Sequence, residues 1–232
     1  MASTLYLLPV WLGDSGGTEL MPPANIAVAE GVKNFFCENE RTARRMLRRM
    51  SPTMDLNTIE LHRLDKDTGD ADIAMMIAVL KEKDGAIISE AGMPCIADPG
   101  ARLVAKAHEA GIAVVPLTGP SSLLLALAAS GLNGQRFAFH GYLPRESSDR
   151  KAALKKLEQE AQRTGGAQLF IETPYRNDAM LADIVAVCDG GTRVCVAVDL
   201  EQPTGAVITR SVAGWRKHLP KLDKRPCVFI IG

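Results

Sequence analysis

Four loops rich in glycine, proline and hydroxyl residues stand where the sequence predicts that strands end. They are "CENERT" (37–42), "SEAGMPCIADPG" (89–100), "PLTGPSS" (116–122) and "IETPYR" (171–176). Glycine lets a backbone approach a ligand closely and proline fixes a loop in advance, while Thr118, Ser121 and Ser122 could meet a ligand or cap the next helix. Ligands of open parallel sheets bind at the carboxyl ends of strands. We therefore expect the four loops to converge on one sheet edge and to form a binding site, the alternative being ordinary strand–helix turns.

A helix with one arginine-rich side is the second chemical signal. At about 100° per residue, the arginines of "NERTARRMLRRM" fall within an arc of roughly 140°, opposite an apolar side. This arginine face consists of Arg41, Arg44, Arg45, Arg48 and Arg49. Guanidinium groups bind phosphate through paired hydrogen bonds, so the arginine face could contact phosphate or RNA. The alternative is a solvated helix face, which is what most charge runs are.

Composition limits the class of protein. Lys+Arg and Asp+Glu balance at 27 each, which argues against binding nucleic acid by overall charge. Hydrophobic residues make up 47%, yet no apolar run reaches the roughly 18 residues that span a membrane. The N-terminus lacks the basic region of a secretory signal, so we expect a cytoplasmic protein. The five cysteines form no CxxC motif and no metal-ligand cluster, which favours reduced thiols and no bound metal.

The elements that must position the loops alternate between strand and helix. Buried strands such as "GAIIS" and amphipathic helices follow one another up to about residue 116, which is typical of a mostly parallel sheet. The later strands stand closer together, so hairpins and a mixed sheet are expected. The sequence thus predicts two α/β domains, residues 1–116 and 117–232. Phosphate-loop, dinucleotide-binding and GxSxG motifs are absent from the sequence.

Together these stretches resemble a known superfamily. "SEAGMPCIADPG", "VVPLTGPSSLLLALAASGL", "RFAFHGYLP" and "FIETPYR" occur in the order and spacing of the tetrapyrrole methylases, which are class III S-adenosylmethionine-dependent methyltransferases. "CENERTARRML" is similar to a stretch of the 16S ribosomal RNA (cytidine 2′-O) methyltransferase family within it. The resemblance runs from about residue 30 to the last residue. The chain is expected to be a short variant, because it ends at "FIIG" where longer members continue.

The resemblance implies a cofactor site between the two domains and, usually, a homodimer. S-adenosylmethionine would lie in that cleft. The residues implied are Gly92, Met93, Pro94 and Ile96 at its methionine end, Thr118, Ser121 and Ser122 from the next loop, and backbone around Ile171 and Glu172 near its adenine.

Some positions depart from the family pattern on the substrate side. Glu90 and Met93 stand where relatives carry aspartate and threonine, His140 replaces a glutamate, and Tyr175 replaces a histidine. The first loop reads "LPVWLGD" instead of a Thr-Pro-Ile-Gly-Asn-Leu pattern. The departures indicate that the cofactor residues are largely kept while the substrate side is altered.

Methyl transfer requires orientation of donor and acceptor and removal of a hydroxyl proton. The candidate base is Glu38, with Arg41 or Arg176 steering an anion; alternatively Glu38 is a first-turn helix acid and Arg176 a salt-bridge partner. The expected function is methylation of a ribose 2′-hydroxyl in ribosomal RNA, with the small ribosomal subunit or its RNA contacting the arginine face. The alternatives are methylation of a small tetrapyrrole-like acid or other metabolite, and binding of cofactor or RNA without turnover.

Overall fold

Alternating strands and helices build two sheets of five strands each. The structure, a computed structural model, describes residues 3–15 and 18–232. The chain divides into two compact units, Met1–Ser121 and Ser122–Gly232; the sequence placed the division between residues 116 and 117. The expected class of two α/β domains, one parallel and one mixed, is confirmed.

The first unit is a parallel sheet in the order β3-β2-β4-β1-β5. Its elements are β1 (Thr4–Leu8), α1 (Pro23–Gly31), β2 (Asn34–Cys37), α2 (Glu40–Met50), β3 (Glu60–Arg63), α3 (Asp70–Glu82), β4 (Gly85–Ile88), α4 (Ala101–Glu109) and β5 (Ala113–Pro116). Strands β2 and β4 are buried along their whole length, as expected of strands covered on both faces. Two apolar clusters cover the two faces of this sheet.

The second unit is a mixed sheet in the order β6-β7-β10-β8-β9. Its elements are α5 (Ser122–Ser130), β6 (Phe137–Tyr142), α6 (Ser147–Thr164), β7 (Ala167–Ile171), α7 (Asn177–Val187), β8 (Arg193–Val198), β9 (Ala206–Ser211), α8 (Val212–Lys217) and β10 (Cys227–Ile231). Only β6 and β7 pair in parallel among the described strands of this sheet. Strands β8 and β9 form the expected antiparallel hairpin.

The two sheets correct one expectation. The loops after β2, β4 and β5 stand at the carboxyl edge of the first sheet, but "IETPYR" follows β7 in the second sheet. The prediction that all four loops share one sheet edge is therefore wrong. The reason is that β7 pairs with β6 and β10 rather than with any strand of the first unit.

Two further findings concern membranes and thiols. Within residues 3–15 and 18–232, no helix is long and apolar enough to cross a membrane.

All five cysteines are free. Burial raises the pKa of the Cys37 and Cys95 thiols to about 11, so both are neutral at physiological pH.

Candidate functional site

The carboxyl edge of the first sheet brings three loops together around Gly92. Val10, in the loop after β1, forms an isolated antiparallel bridge with Gly92. The Val10 N–H donates to the Gly92 carbonyl at 3.0 Å, and the Gly92 N–H donates to the Val10 carbonyl at 3.1 Å. The Ser89 hydroxyl donates to the same Gly92 carbonyl at 2.6 Å. The loop after β1 therefore fixes the loop after β4 in register.

The third loop packs against the same point. A Cβ built on Gly92 would lie 2.8 Å from Leu12 Cδ2 and 3.3 Å from the Pro120 carbonyl oxygen, and φ at Gly92 is +72°. Only glycine tolerates both the crowding and the dihedral angle. The amide of Asn25, which is buried on α1, donates to the Thr118 carbonyl at 2.8 Å. The loops after β1, β4 and β5 thus form one packed backbone surface.

The predicted cofactor residues divide between the two units. Gly92 and Pro94 are buried, Met93 is half-buried and Ile96 is 51% exposed. The same unit holds Thr118 and Ser121, whereas Ser122, Ile171 and Glu172 belong to the second unit. Residues 9–12, which sequence reasoning did not select, lie against the predicted loops; the signal missed was the departure "LPVWLGD" itself.

Three carboxylates gather where β2 and β4 end. Burial, together with the negative charges of Glu38 and Glu90, raises the pKa of Asp98 to about 7. Asp98 lies in the loop after β4 next to Ala97, which has a φ of +58°. Sequence reasoning missed Asp98, since nothing in its type or spacing shows that two other carboxylates face it. A carboxyl group with a pKa near neutrality can take up and release a proton at physiological pH.

Glu38 lies outside the helix that follows it. Asn39 caps α2 by accepting the Thr42 N–H at 3.1 Å, and the acid of the first turn is Glu40. The alternative role of Glu38 as a first-turn acid is therefore excluded by the helix start. Glu38 is exposed and, with Glu90, lines a cavity of about 250 Å³.

The cavity beside Glu38 continues into a larger one. Arg63, Asp65 and Asp67 line both the 250 Å³ cavity and a neighbouring cavity of about 580 Å³ between β3 and α3. Asp72 also lines the larger cavity, whose apolar wall includes Met75. Acidic side chains outnumber basic ones along both cavities, so an incoming anion is disfavoured there while a neutral or cationic group is accepted.

Four of the five residues of the arginine face bind neighbouring parts of the first unit. Arg44 donates to the Leu56 carbonyl at 3.0 Å and Arg48 to the Pro52 carbonyl at 2.9 Å. On the next row of the helix, Arg49 donates to the Gly13 carbonyl at 2.8 Å and Arg45 lies 3.3 Å from Asp14. The fifth residue, Arg41, is exposed and makes no hydrogen bond or ion pair with the part of the chain that the structure describes.

Arg176 pairs with Glu172 in the second unit. Its Nη2 atom lies 2.5 Å from Glu172 Oε1, which also accepts the Thr173 N–H at 2.6 Å. Burial alone would raise the pKa of Glu172, but the hydrogen bonds and the charge of Arg176 lower it below its ordinary value. The salt-bridge alternative for Arg176 is therefore what the structure contains. Across the described residues, no group of His, Cys, Asp or Glu side chains could hold a metal ion.

Comparison with known proteins finds one family of methylases and several relatives that share one name. The family of tetrapyrrole (corrin/porphyrin) methylases matches residues 15–211. Ribosomal RNA small subunit methyltransferase I of Escherichia coli O157:H7 is 42% identical over 67% of this chain and 54% of its own length. The protein of that name from Micromonospora olivasterospora is 34% identical over 80% of this chain and 56% of its own length. The one from Mesorhizobium japonicum is 30% identical over 98% of this chain and 74% of its own length.

The chain therefore spans little more than half the length of several of these relatives.

Solved structures share the fold at low sequence identity. The methyltransferase CobJ has a TM-score of 0.62 at 20% identity, over 99% of this chain and 93% of that chain. A uroporphyrin-III-C-methyltransferase from Thermus thermophilus has a TM-score of 0.53 at 19% identity, over 100% of this chain and 93% of that chain. The family match covers most of the sequence and both α/β units have structural counterparts, so the chain belongs to the tetrapyrrole (corrin/porphyrin) methylase family.

Proposed function

We propose that the chain is an S-adenosylmethionine-dependent methyltransferase whose acceptor is a ribose 2′-hydroxyl of ribosomal RNA. The observation that carries the proposal is the cluster of three carboxylates, from Glu38, Glu90 and Asp98, in the unit that also holds the packed backbone at Gly92. Curated relatives named ribosomal RNA small subunit methyltransferase I support the RNA acceptor.

The cofactor would supply a methyl group attached to a positively charged sulfur. The chemistry of the three-loop surface fits such a ligand because the negative charges of Glu38 and Glu90 lie nearby and attract a positively charged sulfur. In this proposal Gly92, Met93, Pro94 and Ile96 hold the methionine end. The loop after β5 contributes Thr118 and Ser121, and the second domain contributes Ser122, Ile171 and Glu172.

Proton removal from the acceptor hydroxyl would fall to a carboxylate of this group. Glu38 is the base expected from the sequence, and Asp98 joins it because its pKa of about 7 suits proton exchange near neutrality. Apart from burial, the groups that raise the pKa of Asp98 are the carboxylates of Glu38 and Glu90. Arg176 is a weaker candidate for anion steering, because its guanidinium already pairs with Glu172.

RNA would approach with its phosphates on the side of Arg41. Arg41 is exposed without a partner among the described residues and lies in the first turn of α2, two residues after the cap Asn39. The acidic cavities beside Glu38 suit a ribose or base edge rather than a phosphate. The same acidic lining disfavours the alternative acceptor, a tetrapyrrole-like acid with several carboxylates. Action on ribosomal RNA would place the protein in the cytoplasm.

A homodimer is part of the proposal, as the family resemblance implies. Large apolar side chains of the second domain are exposed on α5 and on the edge strand β6. They are Leu124, Leu125, Phe137 and Tyr142. A second copy of the chain covering them would remove this apolar surface from water. Light scattering of the wild type and of Phe137→Glu tests this, since a monomeric wild type contradicts the dimer.

The test of the function has two stages. Isothermal titration calorimetry with S-adenosylmethionine establishes cofactor binding, and its absence in the wild type would refute the proposal. Mass spectrometry of small-subunit ribosomal RNA, treated with the protein and cofactor, then locates any new ribose methylation. Methyl transfer to a tetrapyrrole but not to RNA would favour the alternative acceptor.

Variants separate RNA binding from catalysis. Arg41→Glu is expected to weaken RNA binding about tenfold through loss of a phosphate contact and charge reversal, with cofactor affinity unchanged. The matched control is Arg163→Glu, since Arg163 is an exposed arginine on α6 that pairs only with Glu160 among the described residues. Equal RNA affinity of the two variants would show that Arg41 does not contact RNA.

A further inference from the structure

Arg49 connects α2 to the loop that follows β1. Its guanidinium lies 4.1 Å from the centre of the Trp11 ring, and its Nη1 atom donates to the Gly13 carbonyl at 2.8 Å. Trp11 is fully buried and Arg49 is half-buried, so the contact is less screened by water than one between two exposed side chains. Two separate contacts therefore hold this loop on one arginine.

The same loop is the one that fixes Gly92. Val10, which precedes Trp11, exchanges two backbone hydrogen bonds with Gly92, and Leu12 packs on the Gly92 Cα. Residues 10 and 12 thus contact the loop after β4, while residue 11, between them, contacts Arg49 on α2. Movement of Trp11 would displace Val10 and Leu12 on either side of it, because adjacent residues share a planar peptide link.

We infer that Arg49 is a positioning residue for the cofactor site: by holding Trp11 and Gly13, it keeps Val10 paired with Gly92 and so fixes the loop after β4. The inference rests on the proposed function for its link to S-adenosylmethionine. In this inference Arg49 differs in role from Arg41: it positions the cofactor site and does not bind RNA. The contacts described above for Arg49 and Gly92 lie within the first unit.

Arg48 provides a matched control on the same helix. It donates to the Pro52 carbonyl at 2.9 Å, a bond of the same kind and length to a loop with no described hydrogen bond to Gly92. Arg48→Met and Arg49→Met each remove one such bond and keep the apolar stem of the side chain. Of the two variants, only Arg49→Met also removes a contact with Trp11, and exchange at Val10 and Gly92 reports whether that contact holds the pairing.

The experiment measures amide hydrogen exchange at Val10 and Gly92 together with cofactor affinity by calorimetry. Arg49→Met is expected to raise exchange at both amides about tenfold and to weaken S-adenosylmethionine binding about tenfold, whereas Arg48→Met changes neither. Arg49→Lys should fall between them at about threefold, because one ammonium cannot both cover Trp11 and donate to Gly13 in the way a planar guanidinium does. Should Arg49→Met not fold, Arg49→Lys carries the comparison.

Two results would overturn the inference. Exchange at Val10 and Gly92 that is unchanged in Arg49→Met would show that Arg49 does not hold the pairing. Faster exchange with unchanged cofactor affinity would show that the pairing does not serve the cofactor. If the wild type binds no S-adenosylmethionine, the proposed function fails, and the exchange result alone still decides whether Arg49 positions Gly92.

Discussion

The loops after β4 and after β7 each hold a carboxylate whose pKa is shifted, and the two shifts have opposite directions. The pKa of Asp98 in the first loop is raised to about 7, and the pKa of Glu172 in the second is lowered. Glu172 is the more deeply buried side chain, with 0% of it exposed, so burial alone cannot explain the difference.

The difference comes from the partners. Glu172 accepts hydrogen bonds from Arg176 and from the Thr173 N–H, which favour its charged form. For Asp98, burial is the largest cause of the raised pKa, and the like charges of Glu38 and Glu90 act in the same direction instead of opposing it. A carboxylate that is paired with a cation stabilises the fold in its charged form. A carboxylate held among like charges costs stability when it ionises, and it exchanges protons near neutral pH. The loop after β4 is therefore the better place to look for chemistry.

The backbones of the two loops differ in the same sense. Positive φ angles occur at Gly92, Cys95, Ala97 and Gly100 in the loop after β4. Residues 172–176, all of them described, include none. Left-handed conformations at residues other than glycine cost about 1 kcal/mol each and cluster at functional sites. Strain and like charge thus coincide in one loop and are both absent from the other.

Removing the charge of Glu172 tests the structural role of the second loop and has the largest expected effect. Glu172→Gln should lower the free energy of unfolding by about 3 kcal/mol at neutral pH, because it breaks a buried ion pair and leaves Arg176 without its partner. Urea unfolding followed by circular dichroism measures the loss. The wild type should lose this contribution as pH falls through the lowered pKa of Glu172, and the variant should show no such loss.

The control for Glu172→Gln is an exposed pair of the same type. Glu160 lies 2.6 Å from Arg163 on α6 and is 42% exposed. Glu160→Gln should cost less than about 0.5 kcal/mol, because water screens an exposed pair. Equal losses in the two variants would contradict the assignment of Glu172 as a structural carboxylate.

Replacing Gly100 tests the strained loop and has the next largest expected effect. Its φ is +131°, and an added Cβ would lie 2.6 Å from Cys95 Sγ and 3.2 Å from Ile87 Cδ1. Gly100→Ala should therefore lower the free energy of unfolding by about 2 kcal/mol, from crowding and dihedral strain together. Thermal and urea unfolding measure the change.

Gly111 separates these two causes. Its φ is +71°, but nothing lies within 4 Å of an added Cβ. Gly111→Ala should thus cost only the dihedral strain, about 1 kcal/mol. If both alanine variants lose the same stability, crowding at Gly100 contributes nothing.

The sequence predicted the alternation of strands and helices well, because buried strands and amphipathic helices leave a clear pattern. Helix α1 was not predicted: its apolar residues are spread around the helix, and Pro23 stands at its start. The assignment of strands to sheets also could not be read from the sequence, since β7 has the buried pattern of β4 but pairs with other strands.

The arginine face shows a different limit of sequence reasoning. Its spacing predicted a charged side of α2, and that side exists. What the spacing cannot show is that backbone carbonyls at Gly13, Pro52 and Leu56 would meet three of the arginines. These acceptors belong to loops whose paths depend on tertiary packing. The proximity of Asp98 to Glu38 was hidden for the same reason, since it arises from the pairing of β2 with β4.

Neutralising Asp98 has the smallest expected effect on stability and the opposite sign. The folded state holds the pKa of Asp98 at about 7, against an ordinary value of 3.8. Between these two pH values the folded state binds more protons than the unfolded state, so stability falls as pH rises through this window and stays low above it. Asp98→Asn cannot ionise and escapes that loss.

The variant should therefore match the wild type at about pH 4 and exceed it by about 1 kcal/mol at about pH 8, a value reduced for the partial exposure of Asp98. Urea unfolding at both pH values measures the difference. Glu90→Gln removes one of the two like charges, so it should lower the pKa of Asp98 and move the fall in stability to lower pH. If the free energy of unfolding varied with pH in the same way in the wild type and in Asp98→Asn, the folded state would not raise the pKa of Asp98, because water would screen the neighbouring charges. The contrast with Glu172 would then reduce to one buried ion pair, and Glu38 would be left as the base.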